Sequence, residues 1–349
     1  MNFAFTEDQL ALKEGMASFF AAEIPAERLR RLIEKNEGRS PELRAKIAEQ
    51  GLFGLSIPED AGGLGLSDID WALMTPELGY YAIPDFVAET ACVSSGLLAA
   101  VGGQETLLGE MAAGEKTVAI AHPINPLVGD AHLADFVLMN DGGAVHLVPR
   151  AQVQCSPVHE SIDASRQLVA CSFTPSPATQ IADAAKGQAL WDAALNRAAV
   201  ATAGQMIGLA QRMVDMSVAY TNERKQFGKA LASFQAVKHH MAEIIVKIEF
   251  AKPVLYRAAY ALAQGEKDAA LLASHAKLAA GEAAWLAARK GIQVHGGMGY
   301  TWEVDLQMFM KRAWAQNSIW GDNAFHRQRV AQLLLAPDAP VGPGSSFKV

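Results

Sequence analysis

The chain contains little cysteine, and the cysteines it has are scattered. Cys92, Cys155 and Cys171 stand far apart in a sequence of 349 residues. An odd number of cysteines without a C-x-x-C pair fits neither a disulfide framework nor a cysteine-based metal site. His239, His240 and His295 also lack partners at metal-ligand spacing. We therefore expect reduced cysteines that take part in packing, and no bound metal.

Long apolar runs and blocks of positive charge are lacking as well. No stretch approaches the ~20 apolar residues that a membrane-spanning helix needs. The first ten residues contain acids and no basic segment, which argues against a secretory signal. The formal net charge is −7 with both signs spread along the chain, so neither a nucleic-acid surface nor an anionic membrane is an expected partner. We expect a soluble, cytoplasmic protein.

Half of the chain is hydrophobic, which is enough for a large core and two or three domains. Apolar residues recur at helical spacing over residues 1–115, where Thr6 is the expected N-cap of the first helix. Helical patterns return over residues 187–336. Within that part the spacing predicts helices at about 235–264, 268–294 and 323–335, and a helix buried on several faces around 198–208.

The middle of the chain, residues 116–186, has a different pattern. Short β-type runs at 118–120, 136–138, 145–148 and 168–171 are separated by Gly, Pro, Asn and Asp. The predicted fold class is therefore mainly α with a small central β domain. Residues 337–349, rich in Pro, Gly and Ser, are predicted to form a loose tail.

Several motifs fall in order along this helical, β, helical arrangement. They are FTEDQ at 5–9, GLFGLSIPE at 51–59, GGLGL at 62–66, PELG at 76–79, RKQFG at 224–228, FQ at 234–235 and QVHGGMGYT at 293–301. Together they resemble the acyl-CoA dehydrogenases over nearly the whole chain except its middle. The resemblance implies an N-terminal helical domain, a β domain and a C-terminal four-helix bundle.

The resemblance also implies an FAD that lies across a subunit interface. Arg224 would pair with its pyrophosphate, since a guanidinium matches phosphate oxygens and stays charged. Phe227 would pack near the adenosine half, and Gln235 and Gln293 would supply amide hydrogen bonds. Two glycines, Gly296 and Gly297, would let the backbone come close to the cofactor. The family places all six against the FAD of a neighbouring subunit.

The β domain departs from the family pattern. An extended A-x-T-E-P-x-x-G-S-D loop and a W-x-x-x-G strand usually bind the flavin ring and shape the acyl pocket. Here AIAHPINP at 119–126 leads almost directly to Gly129 and Asp130. The flavin-binding strands are therefore predicted to be deleted, and a β domain of this length is not expected to hold the flavin ring alone.

The expected catalytic base is also absent. Dehydrogenation of an acyl-CoA thioester needs a carboxylate that takes the α-proton while the β-hydrogen leaves as hydride to the flavin. Most family members supply it as the Glu of an I-Y-E-G-T stretch, and this chain reads Ile319-Trp320-Gly321-Asp322. Others place it on the first helix after the β domain, where this chain has Asn196 before Arg197. Glu282, in a helix that often carries an acid in this family, is interpreted as structural.

Asp322 is the candidate base within this chain. It stands one residue after the aligned position, and a one-residue shift in a loop redirects a carboxylate by several ångströms. Asp322 also directly precedes the predicted helix at 323–335, where Asp is a favoured N-cap that complements the helix dipole. Both roles remain open at this point.

The retained and lost features divide between two halves of one site. We expect a non-catalytic, β-type subunit of a heteromeric acyl-CoA dehydrogenase, an α2β2 heterotetramer, whose partner supplies the flavin pocket and the glutamate. The resemblance implies an acyl-CoA thioester as substrate, bulky and steroid-derived, and an electron-transferring flavoprotein as acceptor. Two alternatives remain: a self-sufficient dehydrogenase with Asp322 as base, and a flavin-free scaffold that stabilises or regulates a dehydrogenase.

Overall fold

A computed structural model describes residues 4–34, 39–337 and 339 of the chain. Two groups of helices flank a small β region, as the predicted fold class requires. The fold class is therefore confirmed. The predicted tail at 337–349 lies outside the described residues, apart from Pro337 and Ala339. Within the described chain, no helix is both long and apolar enough to cross a membrane.

The N-terminal helices begin where the sequence places their caps. The Thr6 hydroxyl accepts from the backbone N–H of Gln9 at 3.2 Å, and the Gln9 side chain accepts from the Thr6 N–H, so both groups of a capping box are satisfied. Thr6 is the predicted cap. The helices of this part are α1 (Glu7–Glu23), α2 (Ala26–Glu34), α3 (Pro41–Glu49), α4 (Asp68–Tyr80), α5 (Ser95–Val101) and α6 (Glu105–Ala112), with a π-helical turn at Glu89–Ser94.

The β region contains one four-stranded sheet and two short strand pairs. Its strands are β1 (Val118–Ala121), β2 (Val128–Gly129), β3 (Phe136–Asp141), β4 (Ala144–Pro149), β5 (Gln154–Cys155), β6 (Leu168–Val169), β7 (Cys171–Ser172) and β8 (Gln180–Ala182). The sheet order is β1-β3-β4-β8, with β1 parallel to β3 and the other neighbours antiparallel.

The single strand predicted at 168–171 is divided in two. β6 pairs with β2, whereas β7 pairs with β5. The break falls at Ala170, whose N–H donates to the Ser156 side chain rather than to a backbone carbonyl. The continuous apolar run therefore predicted extended structure correctly but missed the change of partner.

The C-terminal helices form the largest part of the core. They are α7 (Ala184–Glu223), α8 (Gln235–Ala263), α9 (Ala269–His295), α10 (Leu306–Ser318) and α11 (Asn323–Leu334), and a small hairpin of β9 (Lys225–Gln226) and β10 (Lys229–Ala230) follows α7. The helices predicted at 235–264, 268–294 and 323–335 agree with α8, α9 and α11 within one residue. Residues 198–210 of α7 are all buried, as their lack of charge indicates.

Close packing joins the N-terminal helix α4 to α7. A Cβ built on Gly79 would lie 1.9 Å from the carbonyl oxygen of Gln205, and one built on Gly208 would lie 1.8 Å from that of Pro76. Only hydrogen fits at these contacts, because backbone atoms occupy the space. The two helices therefore meet backbone to backbone, and the N-terminal helices are fixed directly against the bundle.

Candidate functional site

One end of the bundle gathers the termini of three helices. The Tyr220 ring near the end of α7 stacks on His295 at the end of α9, with ring centroids 4.3 Å apart. Lys290 Nζ lies 2.9 Å from Nδ1 of His240, which brings the start of α8 alongside the end of α9. This end of the bundle carries the six residues predicted to contact FAD: Arg224, Phe227, Gln235, Gln293, Gly296 and Gly297.

All six residues are exposed on this chain. Arg224 ends α7, and its guanidinium makes no ion pair or hydrogen bond with any described residue. Phe227 is 89 % exposed and occupies a left-handed backbone with φ +52° in the turn between β9 and β10. A bulky residue is disfavoured in such a turn, where Asn or Gly is usual. The free cation and the projecting ring are available to a group from outside the chain.

Gly296 and Gly297 lie beside open space. Gly296 ends α9 with φ +61°, so it acts as the helix cap that a Gly-Gly pair commonly supplies. Sequence neighbours aside, no atom of the described residues lies within 4 Å of a Cβ built on either glycine. The described part of the chain therefore leaves open the space that the resemblance implies for a cofactor.

The loop at the expected base position, Ile319-Trp320-Gly321-Asp322, is firmly held. Trp320 is buried with φ +55°, and its N–H donates to Oδ1 of Asn125 at 2.9 Å. Its carbonyl oxygen lies 2.9 Å from Nε2 of His326, whose Nδ1 contacts the Ser274 hydroxyl at 3.1 Å. Burial lowers the pKa of His326 to about 4, so the ring is neutral at physiological pH. The loop is fixed on both sides.

The Gly321 backbone leaves no room for a side chain. Its φ is +88°, a left-handed value that glycine adopts readily. A Cβ there would lie 2.4 Å from the Phe325 ring and 2.9 Å from Nε2 of His326. The position aligned with the family's glutamate is therefore closed to that residue in this conformation.

Asp322 acts as the N-cap of α11. Its carboxylate accepts from the N–H of Phe325 at 2.8 Å, and the side chain is exposed. The capping role weighed from the sequence is thus observed. Asp322 does not line the interior cavities near this loop, to which Ile319 and Trp320 contribute instead.

A buried lysine supports the same loop and has no sequence signal that marks it. Lys277 of α9 is 1 % exposed, and its ammonium donates to the carbonyl oxygens of Gln316 at 3.0 Å and of Asn317 and Gly321 at 3.4 Å each. Burial lowers the pKa of Lys277 to about 7, while the Asp322 carboxylate opposes this shift. Lys277 satisfies carbonyls at the end of α10 that have no partner within the helix.

The interior space beside this loop is too small for a flavin ring. Where the N-terminal helices, the sheet and Ile319 meet, there are two cavities of about 20 Å³ each. Such a volume holds about one water molecule, whereas small-molecule pockets measure roughly 300–1,000 Å³. Neither of these two cavities is therefore large enough for a flavin ring.

Aromatic side chains fill the neighbouring region. His122 packs edge-on against Trp191 and Trp320, at centroid distances of 5.6 and 5.5 Å. Its Nδ1 accepts from the Ile124 N–H and its Nε2 contacts the Trp191 carbonyl oxygen, each at 3.1 Å. Burial lowers the pKa of His122, which fixes it as a neutral packing residue.

A carboxyl and a guanidinium, Glu89 and Arg166, line both cavities and were missed at the level of the sequence. Burial raises the pKa of Glu89 and lowers that of Arg166. Glu89 begins the π-helical turn, a feature often found at functional sites. The sequence gives no signal for this pair because two distant segments of the chain bring it together.

The remaining candidates have structural surroundings. Arg197 binds Asp68 at 2.7 Å, and Oδ1 of Asn196 beside it is buried without a partner. Glu282 is exposed and lies 3.5 Å from Lys247. The described residues contain no group of three or more potential metal ligands. Neither Asn196 nor Glu282 therefore places a carboxylate at the two interior cavities.

Solved structures share this three-part arrangement. Butyryl-CoA dehydrogenase from Megasphaera elsdenii matches with a TM-score of 0.87 at 19% identity, covering 96% of this chain and all of that one. The ChsE4-ChsE5 complex from Mycobacterium tuberculosis contains a chain that matches with a TM-score of 0.87 at 20% identity, covering 97% of this chain and all of that one. These likenesses define the class of fold, that of the acyl-CoA dehydrogenases.

Sequence comparison gives the family. The model of the acyl-CoA dehydrogenase N-terminal domain matches residues 6–115, and that of the C-terminal domain matches residues 185–335. The acyl-CoA dehydrogenase IpdE2 of Mycolicibacterium smegmatis is 32% identical over 318 residues, which cover 90% of this chain and 95% of that protein. The chain belongs to the acyl-CoA dehydrogenase family of oxidoreductases.

Proposed function

We propose that this chain is the non-catalytic, β-type subunit of a heteromeric, FAD-dependent acyl-CoA dehydrogenase. The observation that carries the proposal is the contrast between its two half-sites. The two cavities beside the Ile319 loop are too small for a flavin ring, whereas all six residues at the end of the bundle are exposed. A catalytic partner would supply the flavin pocket and the carboxylate.

In such a complex, this chain contributes positioning rather than proton transfer. The Arg224 guanidinium would bind the pyrophosphate, and the amides of Gln235 and Gln293 would hydrogen-bond the adenosine side. FAD, when bound, supplies the hydride acceptor for α,β-dehydrogenation of an acyl-CoA thioester. The capping bond of Asp322 and its distance from the cavities favour this proposal over a self-sufficient enzyme with Asp322 as base.

Exposed apolar surface supports association with another chain. Tyr300 and Trp302, which follow the glycine pair, are 80 % and 62 % exposed. On the outer face of α8, Phe250 is 73 % exposed, and a largely apolar groove of about 580 Å³ runs beside it between α8 and α9. Exposed apolar patches are typical of protein interfaces. We propose an α2β2 assembly, as the resemblance implies.

The substrate and electron acceptor are proposed from the resemblance. A related complex, ChsE4-ChsE5, is by its name an assembly of two different chains. By analogy, a bulky, steroid-derived acyl-CoA thioester is the proposed substrate, and an electron-transferring flavoprotein is the proposed acceptor.

The proposal is tested by purifying the chain alone and with a catalytic dehydrogenase chain encoded beside it. We expect flavin absorbance and turnover only in the complex. Replacing Arg224 by Ala should weaken FAD binding roughly ten- to hundredfold, the effect of losing a charge-assisted contact. Arg327→Ala is the matched control, since Arg327 is an exposed arginine on α11. It should leave FAD content unchanged.

Each other outcome identifies a rival. A yellow, active lone chain that is inactivated by Asp322→Asn would establish the self-sufficient enzyme. An active complex whose FAD content and turnover do not respond to Arg224→Ala would refute the interface role and leave a scaffold.

A further inference from the structure

Two of the three cysteines face each other across paired strands. Cys155 of β5 lies directly opposite Cys171 of β7 in an antiparallel pair, and their Sγ atoms are 3.7 Å apart. Both are free thiols and partly exposed, whereas Cys92 is buried. We expected scattered packing cysteines, and this pair was missed. Its members are sixteen positions apart in the sequence, and the strand register brings them together.

The register places this pair where a disulfide closes with little movement. The next pair along, Ser156 with Ala170, carries a backbone hydrogen bond from the Ser156 N–H to the Ala170 carbonyl oxygen at 3.0 Å. Bonded and non-bonded pairs alternate along antiparallel strands, so Cys155 and Cys171 form a non-hydrogen-bonded pair. In such pairs the Cα atoms are roughly 4.5 Å apart and the side chains are closest, which is within the range that a disulfide spans.

We propose that Cys155 and Cys171 form a reversible, redox-sensitive disulfide that responds to peroxides. Hydrogen peroxide transfers one oxygen atom to the first thiol, giving a sulfenic acid and water. The second thiol then attacks that sulfur, forming the S–S bond and releasing a second water. In sum, two thiols and one peroxide give one disulfide and two waters. Two equivalents of a small thiol such as glutathione return the pair to the reduced form.

The surroundings distinguish the two thiols. Burial, together with the neighbouring thiol, raises the pKa of Cys171 to about 12, while the nearby Arg150 guanidinium opposes the shift. Cys171 therefore stays protonated, and the first oxidation falls to Cys155. Once Cys155 carries a sulfenic acid, the adjacent Cys171 thiol attacks its sulfur, and the thiol proton leaves with the hydroxyl group as water.

The disulfide would close a segment that links the β region to the bundle. Between the two cysteines lie Asp163 and Ser165, which both bind the buried Arg312 of α10. Arg166, which lines the interior cavities, lies in the same segment. Closing this loop restricts the unfolded chain and holds the segment in place. The inference does not depend on the proposed subunit role.

The test is thiol counting on the full-length chain. The reduced protein is treated with hydrogen peroxide, denatured and alkylated, and its mass is measured. We expect wild type to lose two alkylatable thiols and the mass of two hydrogen atoms, with Cys92 still alkylated. A reducing agent should restore both thiols, and the oxidised chain should melt a few degrees higher than the reduced one.

A strand-swapped variant, Cys171→Ser with Ser172→Cys, is the matched control. It keeps three cysteines but turns the thiol to the other side of β7, since side chains alternate along a strand. We expect this variant to form no disulfide and to lose thiols many-fold more slowly than wild type, because the two thiols are no longer adjacent. Wild type that keeps all three thiols, a disulfide that joins two chains, or an equally fast disulfide in the strand-swapped variant would each overturn the proposal.

Discussion

At the scale of single residues, Gly321, which the resemblance aligns with the family's glutamate, has a backbone conformation that other residues rarely adopt. Gly321 combines a left-handed φ of +88° with a Cβ position that is blocked by Phe325 and His326. His326 cannot move aside easily, because both of its ring nitrogens are engaged. The left-handed backbone and the two neighbouring rings therefore leave no space for a side chain at this position.

This crowding can be separated from the left-handed backbone by comparing two glycines. Gly321→Ala should destabilise the fold by the left-handed cost of ~1–2 kcal/mol plus an overpacking cost of ~1–3 kcal/mol. Gly265→Ala, at φ +61° with nothing within 4 Å of its Cβ, should show only the first cost. Urea unfolding of both variants measures the difference. Equal losses of stability would show that the loop around Gly321 is free to rearrange.

Lys277 predicts a pH dependence of stability. Burial lowers its pKa from 10.5 to about 7 in the folded chain. Between these values the unfolded chain binds more protons, so the free energy of unfolding rises with pH from about 7 upward, on the order of a few kcal/mol. Of the groups that face it, the Asp322 carboxylate opposes the shift and His326 is neutral across this range.

Replacing Lys277 by Met should flatten that rise. Denaturant unfolding at several pH values between about 7 and 10 measures it in both proteins. Lys238→Met, at an exposed position on α8, is the control and should retain the wild-type pH dependence. If the free energy of unfolding of Lys277→Met followed the wild-type pH dependence, the three carbonyl oxygens would stabilise the Lys277 ammonium of the wild-type protein as well as water does.

At the scale of secondary-structure elements, glycine has opposite effects in two helices. Gly208 in α7 meets the Pro76 carbonyl oxygen of α4, whereas Gly15 in α1 has open space around it. Gly15→Ala should stabilise the chain by ~0.5–1 kcal/mol, because alanine favours a helix interior. Gly208→Ala should destabilise it by ~1–3 kcal/mol or more through overpacking. Thermal and urea unfolding measure the sign of each change in stability. Stabilisation by Gly208→Ala would contradict the backbone contact.

The elements also show how far the sequence is informative. Caps and helical spacing are local, so Thr6, Asp322 and the bounds of α8, α9 and α11 could be predicted. Strand partners depend on distant segments, so neither the division at Ala170 nor the pairing of Cys155 with Cys171 could be. The cavity residues Glu89 and Arg166 were missed for the same reason, because separate parts of the fold bring them together.

At the scale of the whole molecule, two cavities of about 20 Å³ beside the Ile319 loop contrast with six exposed residues at the end of the bundle. Aromatic packing around His122, Trp191 and Trp320 closes the interior. Meanwhile Arg224 and Phe227 are exposed, and Phe227, whose ring meets Phe234 edge-on, is held in an unfavourable backbone conformation. Strain of this kind persists where function requires it. The proposed function assigns the exposed side to a second chain.

This asymmetry predicts the flavin content of the complex. Because one interior is closed, each pair of this chain and its catalytic partner should hold one FAD, and an α2β2 assembly should hold two. Native mass spectrometry counts the cofactors, and flavin absorbance of the denatured complex checks the count. Two FAD molecules per pair would require this chain's interior to open by far more than its cavities of about 20 Å³.

Trp320→Ala is the sharper version of the test. If the packing of His122, Trp191 and Trp320 closes the interior as a group, removing one ring should leave the count at one FAD per pair.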